Sequence, residues 1–334
     1  MKNAAISPAR ISICAAPNPP PLSMTTPKIN IIGELMNNAY ARARTAWEKR
    51  DLAGYQHLAR LQADKGAAIL NLNVDGTQRL SVTLEEMLAF LPKLVPALQA
   101  VTDVPLSFDN PNLDYQHTAM AHYDRAKSRG KPVFNSLAAS RQRLPEMIAF
   151  IKEHDMRCIV MASERFSSSG GSEVTLRPEE AHETVRIFAD RLVSEAHRTL
   201  DDIIVDPGLA PVAADMYGLV NLGLDTMRLC RADPHLRGIH FSVGLSNFAF
   251  GLPKSIRAPL ERAYLTLAGP IGLDHALANV ELNAEPLPPD DPLVAELAAV
   301  LEAGRATAGE SVEDAGYRQT EKIMELCAAH KATR

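Results

Sequence analysis

The chain has 334 residues, enough to bury a large core in one domain, and 46% hydrophobic with 22% charged residues is the balance of an ordinary globular protein. A formal net charge of -5 supplies no basic field for nucleic acid. No apolar run approaches the roughly 18 residues that span a bilayer, and Cys14, Cys158, Cys230 and Cys327 stand too far apart for a disulfide framework or a zinc knuckle, so a cytoplasmic protein without a bound metal is expected.

Residues 1–27 crowd Pro8, Pro17, Pro19, Pro20, Pro21 and Pro27 among small residues and read as a disordered N-terminal tail. The short apolar run at 11–16 is too brief for the centre of a secretory signal, and Met24 opens a shorter reading frame just ahead of the first strand. The folded domain is expected over 28–334. There, short apolar runs at 29–33, 69–74, 106–109, 133–136, 158–162, 203–206, 239–243 and 276–279 alternate with amphipathic segments such as 84–98, 141–154, 178–200 and 259–268. Eight such units predict an α/β fold, a (β/α)8 TIM barrel. A doubly wound open sheet would share the alternation but would carry a glycine-rich first turn, and Gly33-Glu34-Leu35-Met36-Asn37 is no GxGxxG. Extra C-terminal helices at 292–306 and 312–329 are expected to pack outside the barrel or to mediate oligomer contacts, and a homodimer is the expected assembly.

The strands share an ending. In chain order they run into Glu34 and Asn37, Asn71 and Asn73, Asp109 and Asn110, Asn135, Asp206, Ser246 and Asn247, and Asn279. At the carboxyl ends of barrel strands such groups face the mouth where substrates bind. Any one of them could simply cap the next helix, but buried amides and carboxylates need partners, and so many together suit a flat heterocycle rich in amino and amide groups. The expected ligand is a pterin. Competing motifs are weaker: the serine-rich run 167–172 has no GK[ST] after it and reads as a flexible loop over the mouth. Gly244-Leu245-Ser246 lacks the second glycine of a hydrolase elbow. His117, His122, His182 and His197 show no metal spacing, Cys158 reads as core, and Asp274-His275 reads as a capping pair.

The pieces IIGELMN, ILNLNVDG, SFDNPN, VFNS, IIVDPG and above all GLSNFAFGLPKSIRAPLERAYL, in this order, resemble the pterin-binding family, and within it the methyltetrahydrofolate:corrinoid protein methyltransferases. The resemblance spans about 31–279. It implies that Asp109, Asn135 and Asp206 hold the pterin ring, that Asn247 sits beside the methyl-bearing nitrogen as the catalytic residue, and that Ser246 and Asn37 support them. It also implies tetrahydrofolate or methyltetrahydrofolate as substrate and cobalamin carried by a separate corrinoid protein, with the direction of transfer open. Asn110 where the family has serine, Ala249 after GLSN and Leu35 in place of an arginine depart from the pattern and bear on donor or acceptor preference. Dihydropteroate synthase is the competing relative, but the cationic residues expected after its seventh and eighth strands are replaced here by Ser246-Asn247 and 276–279. A pterin-binding protein without turnover is the further alternative.

Overall fold

The computed structural model describes residues 28–282 and 285–332. The tail expected over 1–27, with its alternative start at Met24, lies outside the described residues. Eight parallel strands form the central sheet: β1 (Asn30–Asn37), β2 (Ile69–Asn73), β3 (Leu106–Asp109), β4 (Val133–Leu137), β5 (Arg157–Met161), β8 (Ile203–Asp206), β9 (His240–Phe241) and β10 (His275–Ala278). Their order is β10-β1-β2-β3-β4-β5-β8-β9. A parallel bridge between Gly244 and Leu277 joins the two remaining edges, where the Leu277 N–H donates to the Val243 carbonyl at 2.9 Å. The sheet therefore closes, and the fold is a (β/α)8 TIM barrel.

Helices α1 (Ala41–Glu48), α2 (Leu52–Asp64), α3 (Leu84–Gln99), α4 (Leu113–Ala121), α5 (Leu144–Glu153), α6 (Pro178–Ser194), α7 (Leu219–Ala232) and α8 (Lys254–Ala268) surround it. Local chemistry starts several of them. Asp51 accepts from the Gly54 N–H at 3.0 Å, Asn112 caps α4, and Thr83 with Glu86 makes a reciprocal capping box at α3. Met87, Phe90, Leu91, Leu94, Val95 and Leu98 then turn one stripe of α3 inward.

Inside the barrel a separate small core of Ile32, Ile69, Val133, Ile159 and Ile204 is sealed by Met161 and Leu277. At the amino-terminal end Asp274 is a hub: its Oδ1 accepts from His275 Nδ1 at 2.8 Å and the Phe241 N–H at 3.0 Å, its Oδ2 from His240 Nδ1 at 2.8 Å and Arg231 at 3.3 Å. The expected capping pair is thus a buttress between β9 and β10.

Several elements differ from expectation: β1 runs on to Asn37 rather than stopping at Gly33, and α8 begins at Lys254 rather than 259. The helix from Pro178 ends at Ser194 rather than near 200, and β9 has two residues because its continuation serves the closing bridge. The run 167–172 is mostly the turn of an antiparallel hairpin, β6 (Glu164–Phe166) with β7 (Ser172–Val174), closed by the Ser167 N–H on the Gly171 carbonyl at 3.1 Å. Two C-terminal helices, α9 (Pro292–Ala303) and α10 (Val312–Ala332), complete the fold. They pack on the barrel: Asn221 of α7 donates to the Leu301 carbonyl at 2.8 Å, and Gln319 of α10 to the Val212 carbonyl at 3.1 Å.

Candidate active site

Alternation along the strands builds the site. Side chains two residues apart share a face, so the interior positions Ile69, Val133, Ile159 and Ile204 aim Asn71, Asn135, Met161 and Asp206 into the same channel, nearer its carboxyl-terminal mouth. Ile32 does the same for Glu34. On β3, Asp109 lies in register with Asn135 of β4.

One side of the mouth is a polar chain. Asp109 Oδ2 accepts from Asn71 Nδ2 at 2.8 Å and from Asn73 Nδ2 at 3.1 Å, and Asn135 Nδ2 donates to Asn71 Oδ1 at 3.2 Å. Burial pushes the Asp109 carboxyl up from its ordinary value, while the two asparagines and the Arg141 guanidinium draw it down. Arg141 donates from Nε to the Ser136 carbonyl at 3.3 Å. Asn110 turns elsewhere: its amide donates to Asp75 at 2.6 Å and its oxygen accepts from the Asn112 N–H at 2.8 Å, bracing the loops after β2 and β3.

The other side is a pocket of about 300 Å³ into which Asp206 and Asn247 both open, with Met161, Thr175, Gly208 and Gly244 among its walls. Burial raises the Asp206 carboxyl to about 6, against a hydrogen bond of 2.8 Å from the Gly208 N–H. A Cβ on Gly244 would stand 2.9 Å from Asn247 Nδ2, so a larger residue there would make the Asn247 side chain move. Asn247 and Ser246 are exposed at the mouth.

A third group links the two ends of the chain's barrel. Glu34 accepts from the Tyr40 hydroxyl on Oε1 and from Ser246 Oγ on Oε2 at 3.4 Å. Asn37 and Asn279 take no part in these networks. Each accepts from a backbone N–H two residues on, that of Ala39 at 2.8 Å and of Glu281 at 2.9 Å, as turn-forming asparagines do.

The structure thus brings Asp109 together with Asn135 through Asn71, and Asp206 together with Asn247 in one pocket. Sequence reasoning put Glu34 at the mouth without a task, and it passed over Tyr40, Arg141 and Thr175. Arg141 carried a readable signal, a cation in the loop that follows the strand bearing Asn135, a loop it shares with Arg143. Among the described residues, His240, Asp274 and His275 gather ligand-type atoms within 4.8 Å of one another, but they lie at the opposite end of the barrel.

The sequence pattern of the family described as "Pterin binding enzyme" matches residues 36–276. A methylcorrinoid:tetrahydrofolate methyltransferase of Eubacterium limosum is 23% identical over 250 residues, 74% of this chain and 83% of that protein. Dihydropteroate synthase of Xanthomonas albilineans, in complex with indole-2-carboxylic acid and 6-chloroguanine, superposes with a TM-score of 0.52 at 18% identity, covering 85% of this chain and 96% of that one. The dihydropteroate synthase of Coxiella burnetii in complex with pteroic acid gives 0.53 at 15% identity, covering 84% and 94%. At these identities the solved structures speak for the fold alone. The family match runs from the end of β1 into β10 and takes in every strand that carries the network and the pocket, so this chain belongs to the pterin binding enzymes.

Proposed function

We propose that this protein moves a methyl group between tetrahydrofolate and the cobalt of a corrinoid carried by a partner protein. The observation that carries the reading is the shared pocket of Asp206 and Asn247. It pairs a half-buried acceptor for the amino edge of a pterin with a neutral amide at the exposed rim, where a reacting nitrogen can meet a large partner. Asp109 and Asn135, preset by Asn71, offer the ring further contacts across the mouth. The name of the Eubacterium limosum relative describes the same pair of substrates.

The chemistry of the rim favours methyl transfer over pterin condensation. Joining a pyrophosphate-bearing pterin to an amine calls for cations against the leaving group. At the ends of β9 and β10 the chain offers Ser246, Asn247 and Asn279, and the cation described at the mouth, Arg141, stands on the other side beside Asp109 with its Nε on the Ser136 carbonyl. Asn247 suits a reaction in which positive charge grows on a ring nitrogen, because its carbonyl oxygen can accept from the N–H formed there. The same site serves either direction, since a catalyst lowers one barrier for both.

The test is a spectroscopic assay of methyltetrahydrofolate with free cob(I)alamin, then of methylcobalamin with tetrahydrofolate. Transfer in both assays is expected, with no dihydropteroate formed from pterin pyrophosphate and 4-aminobenzoate. Dihydropteroate formation without methyl transfer would replace this reading with the synthase. Tight pterin binding with neither reaction would leave a binding protein.

A further inference from the structure

Breaking a carbon–nitrogen bond at a tertiary amine requires a proton on the nitrogen, and no histidine stands among the strand-end residues of the mouth. A carboxyl group does. Glu34 is 4% exposed, and its two oxygens answer to different hydroxyls: Oε1 to Tyr40, Oε2 to Ser246 at 3.4 Å. Ser246 is itself exposed to the mouth and is the immediate neighbour of Asn247. The hydroxyl therefore stands between a buried acid and the solvent-facing rim, in contact with the one and beside the residue assigned to the reacting nitrogen.

The surroundings bring the titration of that acid to neutrality. The groups that act on its charge are Tyr40 from the loop before α1, Ser246 from the loop after β9 and the buried carboxylate of Glu261 on α8, and none of them is a cation. Burial is the dominant influence and holds Glu34 at about 7, with the Tyr40 hydrogen bond opposing it and the Glu261 charge adding to it. An acid of that strength is suited to give up a proton and recover it at neutral pH.

We propose that Glu34 supplies, through the Ser246 hydroxyl, the proton that the methyl-bearing nitrogen needs before its carbon–nitrogen bond breaks. The proposal rests on the methyl-transfer reading above. Glu34 passes its proton to the Ser246 oxygen as Ser246 hands its own proton to the nitrogen lone pair. Glu34 becomes a carboxylate and the nitrogen an ammonium. The methyl acceptor, a two-electron nucleophile such as reduced corrinoid cobalt, then bonds to the methyl carbon with its own electron pair. The pair of the broken carbon–nitrogen bond stays on nitrogen, which keeps the new hydrogen as a secondary amine. Solvent returns a proton to Glu34 between turnovers. Throughout, the Tyr40 hydroxyl donates to the carboxylate that forms and limits the cost of a buried charge. Glu34 acts through Ser246 and is a positioning residue and proton reservoir, distinct from Asn247 at the reacting atom.

The experiment is single-turnover methyl transfer from methyltetrahydrofolate to free cob(I)alamin across pH, for the wild-type chain, Glu34→Gln and Ser246→Ala, with equilibrium binding of methyltetrahydrofolate measured beside it. The wild-type rate is expected to fall as pH rises through about 7, because the protonated form is the competent one. Glu34→Gln should lose roughly 100-fold or more in rate together with that pH dependence, while affinity changes by no more than about threefold. Ser246→Ala removes the exposed hydroxyl and its contact with Glu34, and it should slow transfer in the same way with affinity kept. Wild-type rates and pH dependence in both variants would overturn the relay and leave the methyl-transfer reading standing. A Glu34→Gln enzyme whose binding falls as far as its rate would also overturn it. A wild-type chain that binds the folate and transfers nothing in either direction would overturn the methyl-transfer reading, and this proposal with it.

Discussion

At the residue scale, Asp206 and Asn247 share a pocket but face different electrostatic problems. Asp206 is a half-buried carboxylate whose charge is disfavoured, held at about 6 with one oxygen on the Gly208 N–H. Its folded value lies above that of the unfolded chain, so its ionised form costs stability above about 6, and that cost disappears as pH falls below the unfolded carboxylate range. Binding has the opposite sense, because protonation removes an acceptor. Affinity for methyltetrahydrofolate should fall as pH drops through about 6. Asp206→Ala should weaken binding by roughly 1.5–3 kcal/mol, and Asp206→Asn should bind weakly yet unfold no earlier than wild type at neutral pH. Asn247 meets charge only as the reaction proceeds, so Asn247→Ala should lower single-turnover transfer by ~100-fold and affinity far less. Binding titrations beside stopped-flow transfer separate the two. Equal losses of rate and affinity in both variants would remove the division of labour.

At the element scale, the period of two along each strand is what made the barrel and most of its mouth readable. Ile69-Leu70-Asn71, Val133-Phe134-Asn135 and Ile204-Val205-Asp206 each place an interior apolar residue and then a polar one on the same face, a pattern visible without a structure. The hairpin of β6 and β7 was not readable, since Glu164-Arg165-Phe166 and Ser172-Glu173-Val174 are three residues each, carry charged residues and bury little, and their pairing rests on a turn at Gly170 and Gly171. Nor were the contacts across the chain. Glu34 meets Ser246 from 212 positions away, and no local spacing records that meeting. The Asp274 buttress was misread for the same reason, because one of its two imidazoles, His240, lies 34 positions upstream. Its carboxylate is held far below the ordinary range: burial opposes this, but the hydrogen bonds from His240 and His275 outweigh it. A depressed folded value contributes stability above the unfolded carboxylate range and loses it as pH falls. Asp274→Asn should therefore cost roughly 1.5–3 kcal/mol at neutral pH, a gap that narrows below about pH 4, with pterin affinity unchanged because the buttress lies at the far end of the barrel. Urea unfolding of both proteins at several pH values measures the gap, and a gap that stays constant into acid would show that the Asp274 charge contributes nothing.

At the scale of the whole molecule, the C-terminal helices reach the pocket loops at several points, of which Val212 joins two loops at once. Val212, in the loop after β8, accepts from Gln319 of α10 at 3.1 Å and donates its N–H to the Phe248 carbonyl at 2.9 Å. That carbonyl belongs to the residue after Asn247, so α10 is tied both to the loop behind Asp206 and to the loop that carries Asn247. The same helix presses on the start of α7, where Asp215 accepts from the Leu219 and Val220 N–H groups at 2.7 and 2.8 Å. The close approach depends on Gly316. A Cβ there would stand 2.7 Å from the Asp215 carbonyl oxygen and 3.0 Å from Met216 Cα, and both are backbone atoms that cannot swing aside. Gly316→Ala should push α10 from the barrel, cost about 1–3 kcal/mol of stability, and weaken methyltetrahydrofolate binding because the two pocket loops lose a common anchor. Glu325→Ala, on an exposed face of the same helix, should change neither. Denaturant unfolding and folate titration of the two variants test the coupling. A Gly316→Ala protein that is less stable yet binds folate as tightly as wild type would confine α10 to its own packing and leave the pocket loops to hold themselves.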